Sequence, residues 1–335
     1  SAVGMFTDTP EHIYFGEGNT LYALIGSSLF VWLVHWLVSR GIKEAALVNL
    51  MATIAKIIPL VIFIIFSFVA FKLELFKLNF LDTSLQMPVW QQVRDVMLIT
   101  LWVFTGIEGA VVLSSRAKKR NDIGKATLLG VLLALAFYVM VTVLAYGINI
   151  RSEIAGMHNP SMATILGQLI GIPGTFVITL GLIISVSSSY LSWTLFATEI
   201  PYLAAKNGAF PKIFLKTNQN SVPIASLWLT SIVVQLSLIA VCFFNKNYTQ
   251  LLLISSVMIL LPYFLVSAFY LKESIRNKRT KHIVIASIAT MYAVWLLYAA
   301  GFSLLLLSGI FYALGLLIFF YSRFSLKRSI SSLDK

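Results

Sequence analysis

Charge is what this sequence has least of. Asp, Glu, Lys and Arg make up only 11% of its 335 residues, 59% are hydrophobic, and the mean hydropathy is +0.88. A soluble domain carries about 25% charged residues and just under half apolar ones, so soluble packing could not hide this much apolar surface. Cysteine is almost missing. Cys242 stands alone, which excludes an internal disulfide and a cysteine-based metal cage; lying in an apolar run, it is expected to be buried and inert. The four histidines show no zinc-type spacing, and neither a phosphate loop nor a dinucleotide fingerprint is present. No cofactor, resident metal or nucleic-acid partner is expected. An intramembrane enzyme would need a nucleophile or metal paired with a base at membrane depth, and the sequence offers no such set. It is not expected to be an enzyme.

Long apolar runs are abundant instead. Stretches of about 20 residues, enough to cross the hydrocarbon of a bilayer, fall at 20–39, 46–71, 93–115, 126–150, 168–200, 223–244, 249–271, 281–301 and 303–322. A β-barrel would show alternating segments of about ten residues. The expected fold class is therefore an all-α polytopic membrane protein of about nine transmembrane helices. Residues 1–19 form a polar external segment, 20–322 the transmembrane core and 323–335 a tail. The fifth run is overlong, with Pro173 and Gly174 near its start and Pro201 at its end. The last two are joined only by Gly301-Phe302-Ser303.

The few charges are unevenly placed. Nineteen of the 25 Lys and Arg lie on one alternating set of connections and the tail, from Arg40 and Lys43 to Arg328 and Lys335. Only Lys72, Lys77, Arg151 and Lys246 lie on the other set. By the excess of basic residues in cytoplasmic loops, the first residue is expected outside and the C-terminus in the cytoplasm. An odd number of spans that starts outside, without a start Met or a signal-peptide pattern, leads us to expect further helices upstream.

One run departs from the rest. Residues 100–120, TLWVFTGIEGAVVLSSRAKKR, keep Thr105, Gly106, Glu108 and Gly109 at the centre of a membrane-grade segment. Each Gly weakens a helix by about 1 kcal/mol relative to Ala. A carboxylate at mid-bilayer costs about 2.5–3.5 kcal/mol even on the permissive insertion scale. Helical spacing would put Trp102, Gly106 and Gly109 near one face and Thr105 beside Glu108. Such a face is expected to line a protein-enclosed, water-accessible cavity, where unwound backbone can serve a ligand. Close helix packing is the alternative role of the glycines.

The stretch WVFTGIEGAVVLSSRAKKRNDIGKAT resembles the sixth transmembrane helix and following loop of the basic amino acid/polyamine antiporters, within the amino acid–polyamine–organocation superfamily. RGIKEAALVNLMATIAKIIPL is similar to that family's fourth-to-fifth helix junction, and LSWTLFATEIPYLAAKNGAFPKIF to the end of its eighth helix. The likeness is greatest to arginine–ornithine antiporters and their lysine-carrying relatives, and it runs over the whole chain as helices four to twelve of a twelve-helix, LeuT-like inverted-repeat fold. It implies exchange of arginine, lysine or ornithine by alternating access in a bacterial-type inner membrane. It also implies that helices one to three, with the first broken helix, lie outside this sequence or on a complementary chain; a homodimer is compatible with it. A proton-coupled permease for neutral amino acids and an inactive truncated remnant are the alternatives.

The resemblance assigns roles to residues. Trp102 would be the outer aromatic gate and Trp193 the inner aromatic barrier; both could instead be packing residues. Thr105 and Gly106 fall on the unwound segment, which would contact substrate through the Gly106 backbone and the Thr105 hydroxyl, and Gly109 is counted with them among the substrate-binding residues. Glu108 matches an acidic residue used for proton-sensitive coupling, or it neutralises a buried cation. Lys56 matches a fifth-helix Lys whose ammonium takes the place of sodium, with Ser185, Ser188 and Ser189 on the facing helix. A fixed structural charge, and serines that only join helices, are the plainer readings. His35 and the pair Arg94–Asp95 are expected at the membrane interface.

Overall fold

The structure is a computed structural model that describes residues 3–8, 12–16, 18–80, 87–109, 120–157, 160–244 and 248–331. Its helices are α1 (Gly4–Thr7), α2 (Leu21–Arg40), α3 (Ile42–Ala70), α4 (Leu73–Phe80), α5 (Val89–Phe104), α6 (Arg120–Tyr146), α7 (Arg151–Gly156), α8 (Ser161–Ile170), α9 (Ile172–Lys206), α10 (Ile224–Phe244), α11 (Tyr248–Arg276), α12 (Thr280–Ala300) and α13 (Phe302–Ser331). The only β feature among the described residues is an isolated bridge between Thr217 and Pro223. The chain is an all-α polytopic membrane protein.

Eight of the nine expected spans are continuous helices long and apolar enough to cross a membrane. The third is not. Its helix α5 stops at Phe104, and residues 110–115 of that run lie outside the described ones. The fifth run also differs. Residues 168–170 belong to α8, Gly171 turns the chain at φ +76°, and α9 starts at Ile172 with Pro173 in its first turn, where a missing N–H costs nothing. Pro201 does not end α9, which continues to Lys206. The last two runs are separate helices turned at Gly301, also at φ +76°. The tail expected from residue 323 starts as a continuation of α13, to Ser331.

The chain divides into two compact units. The first comprises residues 1–84 and 106–245. In it α9 packs along α3, α8, α10 and α2. Two buried apolar clusters hold it. One joins Phe63 of α3 to Ala163, Ile165 and Leu166 of α8 and Ile178 of α9. The other joins Val34 and Val38 of α2 to Leu191 and Leu195 of α9 and Leu227 of α10.

Polar contacts clamp the ends of this unit. The Asn79 side-chain amide donates to the carbonyls of Tyr146 (2.6 Å) and Asn149 (3.0 Å) and accepts the Arg151 N–H (2.9 Å). Ahead of α2, the Asp8 carboxylate accepts the amides of Phe15, Tyr14 and Gly16. These bonds, that of Phe15 first, hold its carboxyl below the ordinary aspartate range.

The second unit comprises residues 85–105 and 246–335. Leu98 and Leu101 of α5 meet Val257 and Leu260 of α11 and Leu296 and Ala300 of α12. Arg94 lies over the Tyr298 ring at 5.6 Å, which keeps the guanidinium on an aromatic face at the start of the span.

Candidate functional site

The broken span is built from its last helical turn. Thr105, extended at φ −66° and ψ 133°, donates its N–H to the Trp102 carbonyl at 3.0 Å. Its hydroxyl turns back to the Leu101 carbonyl at 3.1 Å. Gly106 follows at φ +113°, a conformation that L side chains rarely adopt. Its N–H donates to a side chain, Glu108 Oε2, at 2.9 Å. The Gly109 N–H then donates to the Gly106 carbonyl at 3.0 Å, and helix resumes at Gly109.

Helical periodicity therefore does not run through residues 105–108. The expected common face of Trp102, Gly106 and Gly109, and the helical pairing of Thr105 with Glu108, rest on a coil that is not there. The carboxylate instead folds back on the amide two residues before it. A charge-assisted N–H···O⁻ bond of this kind is roughly twice as strong as a neutral one, which offsets part of the cost of keeping both groups away from bulk water.

In the first unit, α9 supplies an aromatic shelf beneath the break. A Cβ on Gly106 would stand 3.4 Å from Trp193 Cζ2, and one on Gly109 would overlap the Phe196 ring. Trp193 and Phe196 are edge to face at 6.0 Å. Gly109 thus has a packing role, whatever else it does. Phe196 is a contact that sequence reasoning missed, although its spacing of three from Trp193 marks the same helix face. Trp102 and Thr105 end the helix of the second unit, Trp102 half-buried on α5.

The α3–α9 seam carries the other predicted group. Pro59 lies inside α3 and Gly181 inside α9, so close that a methyl on Gly181 would overlap the proline ring. Phe63 of α3 clusters with Ile178 of α9, so the helices run antiparallel. Lys56, one turn before Pro59, then falls level with Ser185, one turn after Gly181. Lys56 and Ser185 are half-buried, as is Ser189, and Ser188 is buried. Proline has no N–H, so Ala55, next to Lys56, loses the helical donor for its carbonyl. Helix register thus sets Lys56 and Ser185 at a similar height on the two packed helices, with Ser188 and Ser189 about one turn further along α9.

Sequence reading gives Glu199, inside the expected fifth run, no role, and on α9 it is 4% exposed. Two expectations change. His35 is not interfacial. It is buried against α10, with Nδ1 2.8 Å from Ser231 Oγ and its ring edge-on to Trp228 at 4.7 Å. Cys242 is half-buried rather than fully enclosed. Among the described residues no group of three or more His, Cys, Asp or Glu could hold a metal ion.

Comparison with known proteins agrees with this architecture. Residues 2–330 match the model of a family described as amino acid permease. A protein of Escherichia coli strain K12, provisionally named an arginine/ornithine antiporter, is 50% identical over 323 residues, covering 96% of this chain and 70% of the relative. The arginine/ornithine antiporter of Pseudomonas aeruginosa is 43% identical, covering 91% of this chain and 67% of the relative. An arginine/agmatine antiporter of Chlamydia caviae is 41% identical, covering 90% and 65%. With eight continuous spans, one broken span and a family match over nearly its whole length, the chain belongs to the amino acid permease family.

Proposed function

We propose that this chain forms the greater part of a carrier that exchanges cationic amino acids of the arginine and ornithine type by alternating access. The observation that carries the reading is the break at Thr105–Glu108, where Gly106 sits at φ +113° beside Trp193 and its amide is held by Glu108. The end of α5 is the negative end of a helix dipole, which favours a cation. Within the break, the Gly106 N–H is held by the Glu108 carboxylate until a ligand carboxylate competes for it. An amino acid has both complements, an ammonium and a carboxylate. Trp193, beside Gly106, supplies an aromatic face that attracts a guanidinium by about 0.5–2 kcal/mol depending on desolvation; Trp102, on α5, is kept as the outer gate that the resemblance implies. The names of the relatives agree with a cationic substrate.

In this proposal Lys56, with Ser185, Ser188 and Ser189, supplies a fixed positive charge at the α3–α9 seam in place of a metal ion. The ends rich in Lys and Arg face the cytoplasm of a bacterial inner membrane. The first three helices of the fold, ahead of this sequence, complete the site. Proton-coupled uptake of neutral amino acids would use Lys56 and Glu108 equally well. The two readings part in proteoliposomes holding the full-length protein. Exchange predicts that ornithine loaded inside accelerates uptake of labelled arginine about tenfold or more, and that Trp102→Ala and Glu108→Gln each reduce it. Arginine uptake indifferent to internal ornithine would rule out exchange. Unchanged kinetics in both variants would remove the site.

A further inference from the structure

We propose that the shared end of α2 and α10 is a seat for one anionic phospholipid, with its phosphate at Arg40 and Lys216 and an acyl chain along Trp36, Trp32 and Trp228. This inference does not depend on which solute is carried. Trp32, Trp36 and Arg40 follow one another at intervals of four and form a stripe on α2. All three are exposed. The Arg40 guanidinium lies over the Trp36 ring at 4.6 Å, so the charge is held against the stripe. At the other end Trp32 meets the exposed Trp228 of α10 at 5.5 Å between ring centroids. Behind that pair the bond from His35 to Ser231 joins the two helices. From Trp32 to Arg40 the stripe spans about 12 Å, close to the hydrocarbon depth of one leaflet, about 15 Å.

The second half of the seat is fixed by Asn218. Its side-chain Nδ2 donates to the Ser39 carbonyl at 2.7 Å, and its Oδ1 accepts the amides of Asn220 and Val222, each at 3.0 Å. The same turn is closed by the Ile224 N–H on the Lys216 carbonyl at 3.1 Å. The loop that carries exposed Lys216 is thereby pinned to the helix end that carries Arg40. Neither α2 nor residues 206–244 contain an Asp or Glu, so no acid on these segments cancels the charge. Glu44, a few residues after α2, has Lys43 next to it in sequence. A row of aromatic rings leading to two cations suits a lipid with a net negative headgroup, whereas a zwitterionic one brings its own cation.

The test uses the full-length protein in nanodiscs of palmitoyl-oleoyl phosphatidylglycerol and phosphatidylcholine, with retained lipid read by native mass spectrometry. Phosphatidylglycerol should be retained in preference by roughly fivefold per engaged basic side chain. Arg40→Gln with Lys216→Gln should abolish the preference. Asn218→Ala keeps every charge and should still reduce it severalfold. Lys272→Gln with Lys281→Gln removes the same charge at the α11–α12 turn and should leave it intact. The proposal is overturned if both double variants lose equally, if the Arg40/Lys216 pair keeps the preference, or if the unaltered protein shows none. It is also overturned if glycerol phosphate without acyl chains displaces the lipid, since that would mark a site for a soluble anion.

Discussion

Two stretches of the chain treat an awkward residue in opposite ways. In α3 the helix runs from Ile42 to Ala70 straight through Pro59. After α5, with no proline in reach, the coil is abandoned at Thr105. Proline is the stronger helix breaker by about 2 kcal/mol, so intrinsic propensity ranks the two sites the wrong way round. What differs is the surroundings. Pro59 fits against Gly181, which has no side chain to oppose it, and the packing of α3 on α8 and α9 keeps the helix in place. At Gly106 the amide has found a carboxylate and the backbone a torsion that helix forbids. In a membrane a helix ends where its freed polar groups have somewhere else to go, and less where its sequence is weak.

That contrast can be broken at either side. Gly106→Ala should have the largest effect. A side chain forced to φ +113° costs on the order of 1–3 kcal/mol, whereas the methyl itself would make only ordinary contact with Trp193. Labelled arginine exchange should fall at least about tenfold while the protein still reaches the membrane; retention of full exchange would mean that the torsion is not used.

Gly181→Leu should come next, acting on stability rather than on the solute. It drives a side chain into the Pro59 ring, and overpacking of this kind costs about 1–3 kcal/mol. The melting temperature in detergent should drop by several degrees, and an unchanged value would show that the α3–α9 seam is loose. Pro59→Ala should do least. It restores an N–H and keeps the helix, so stability should stay within about 1 kcal/mol of the parent, while Gly181→Leu in that background should be better tolerated than in the parent. A double-mutant cycle on the two positions measures this coupling.

Sequence reading reached the fold class because hydropathy over 20 residues is a long-range average that single residues do not disturb. It also located the break, because Glu108 between two glycines has no inexpensive place in a regular membrane helix. It misjudged what depends on neighbours distant in sequence. Pro201 looks like a terminus until α9 is seen to continue past it to Lys206, and Glu199 drew no notice although it lay inside the expected run. His35 looks interfacial because Arg40 is near in sequence; Trp228 and Ser231, which enclose it, are about 200 positions away. Phe196 escaped because an aromatic in an apolar run has many possible partners, and only packing shows that Gly109 is the one.

The length of α9 has a practical consequence. Its 35 residues make a rod of about 52 Å, longer than a bilayer with its headgroups, about 40–45 Å. Such a rod must tilt or carry one of its ends past the headgroups, and its exposed last residue, Lys206, lies on the same element that holds Trp193 beside Gly106. A fluorophore fixed at Lys206 would ride on a lever whose other arm reaches the break, and would report changes in its tilt.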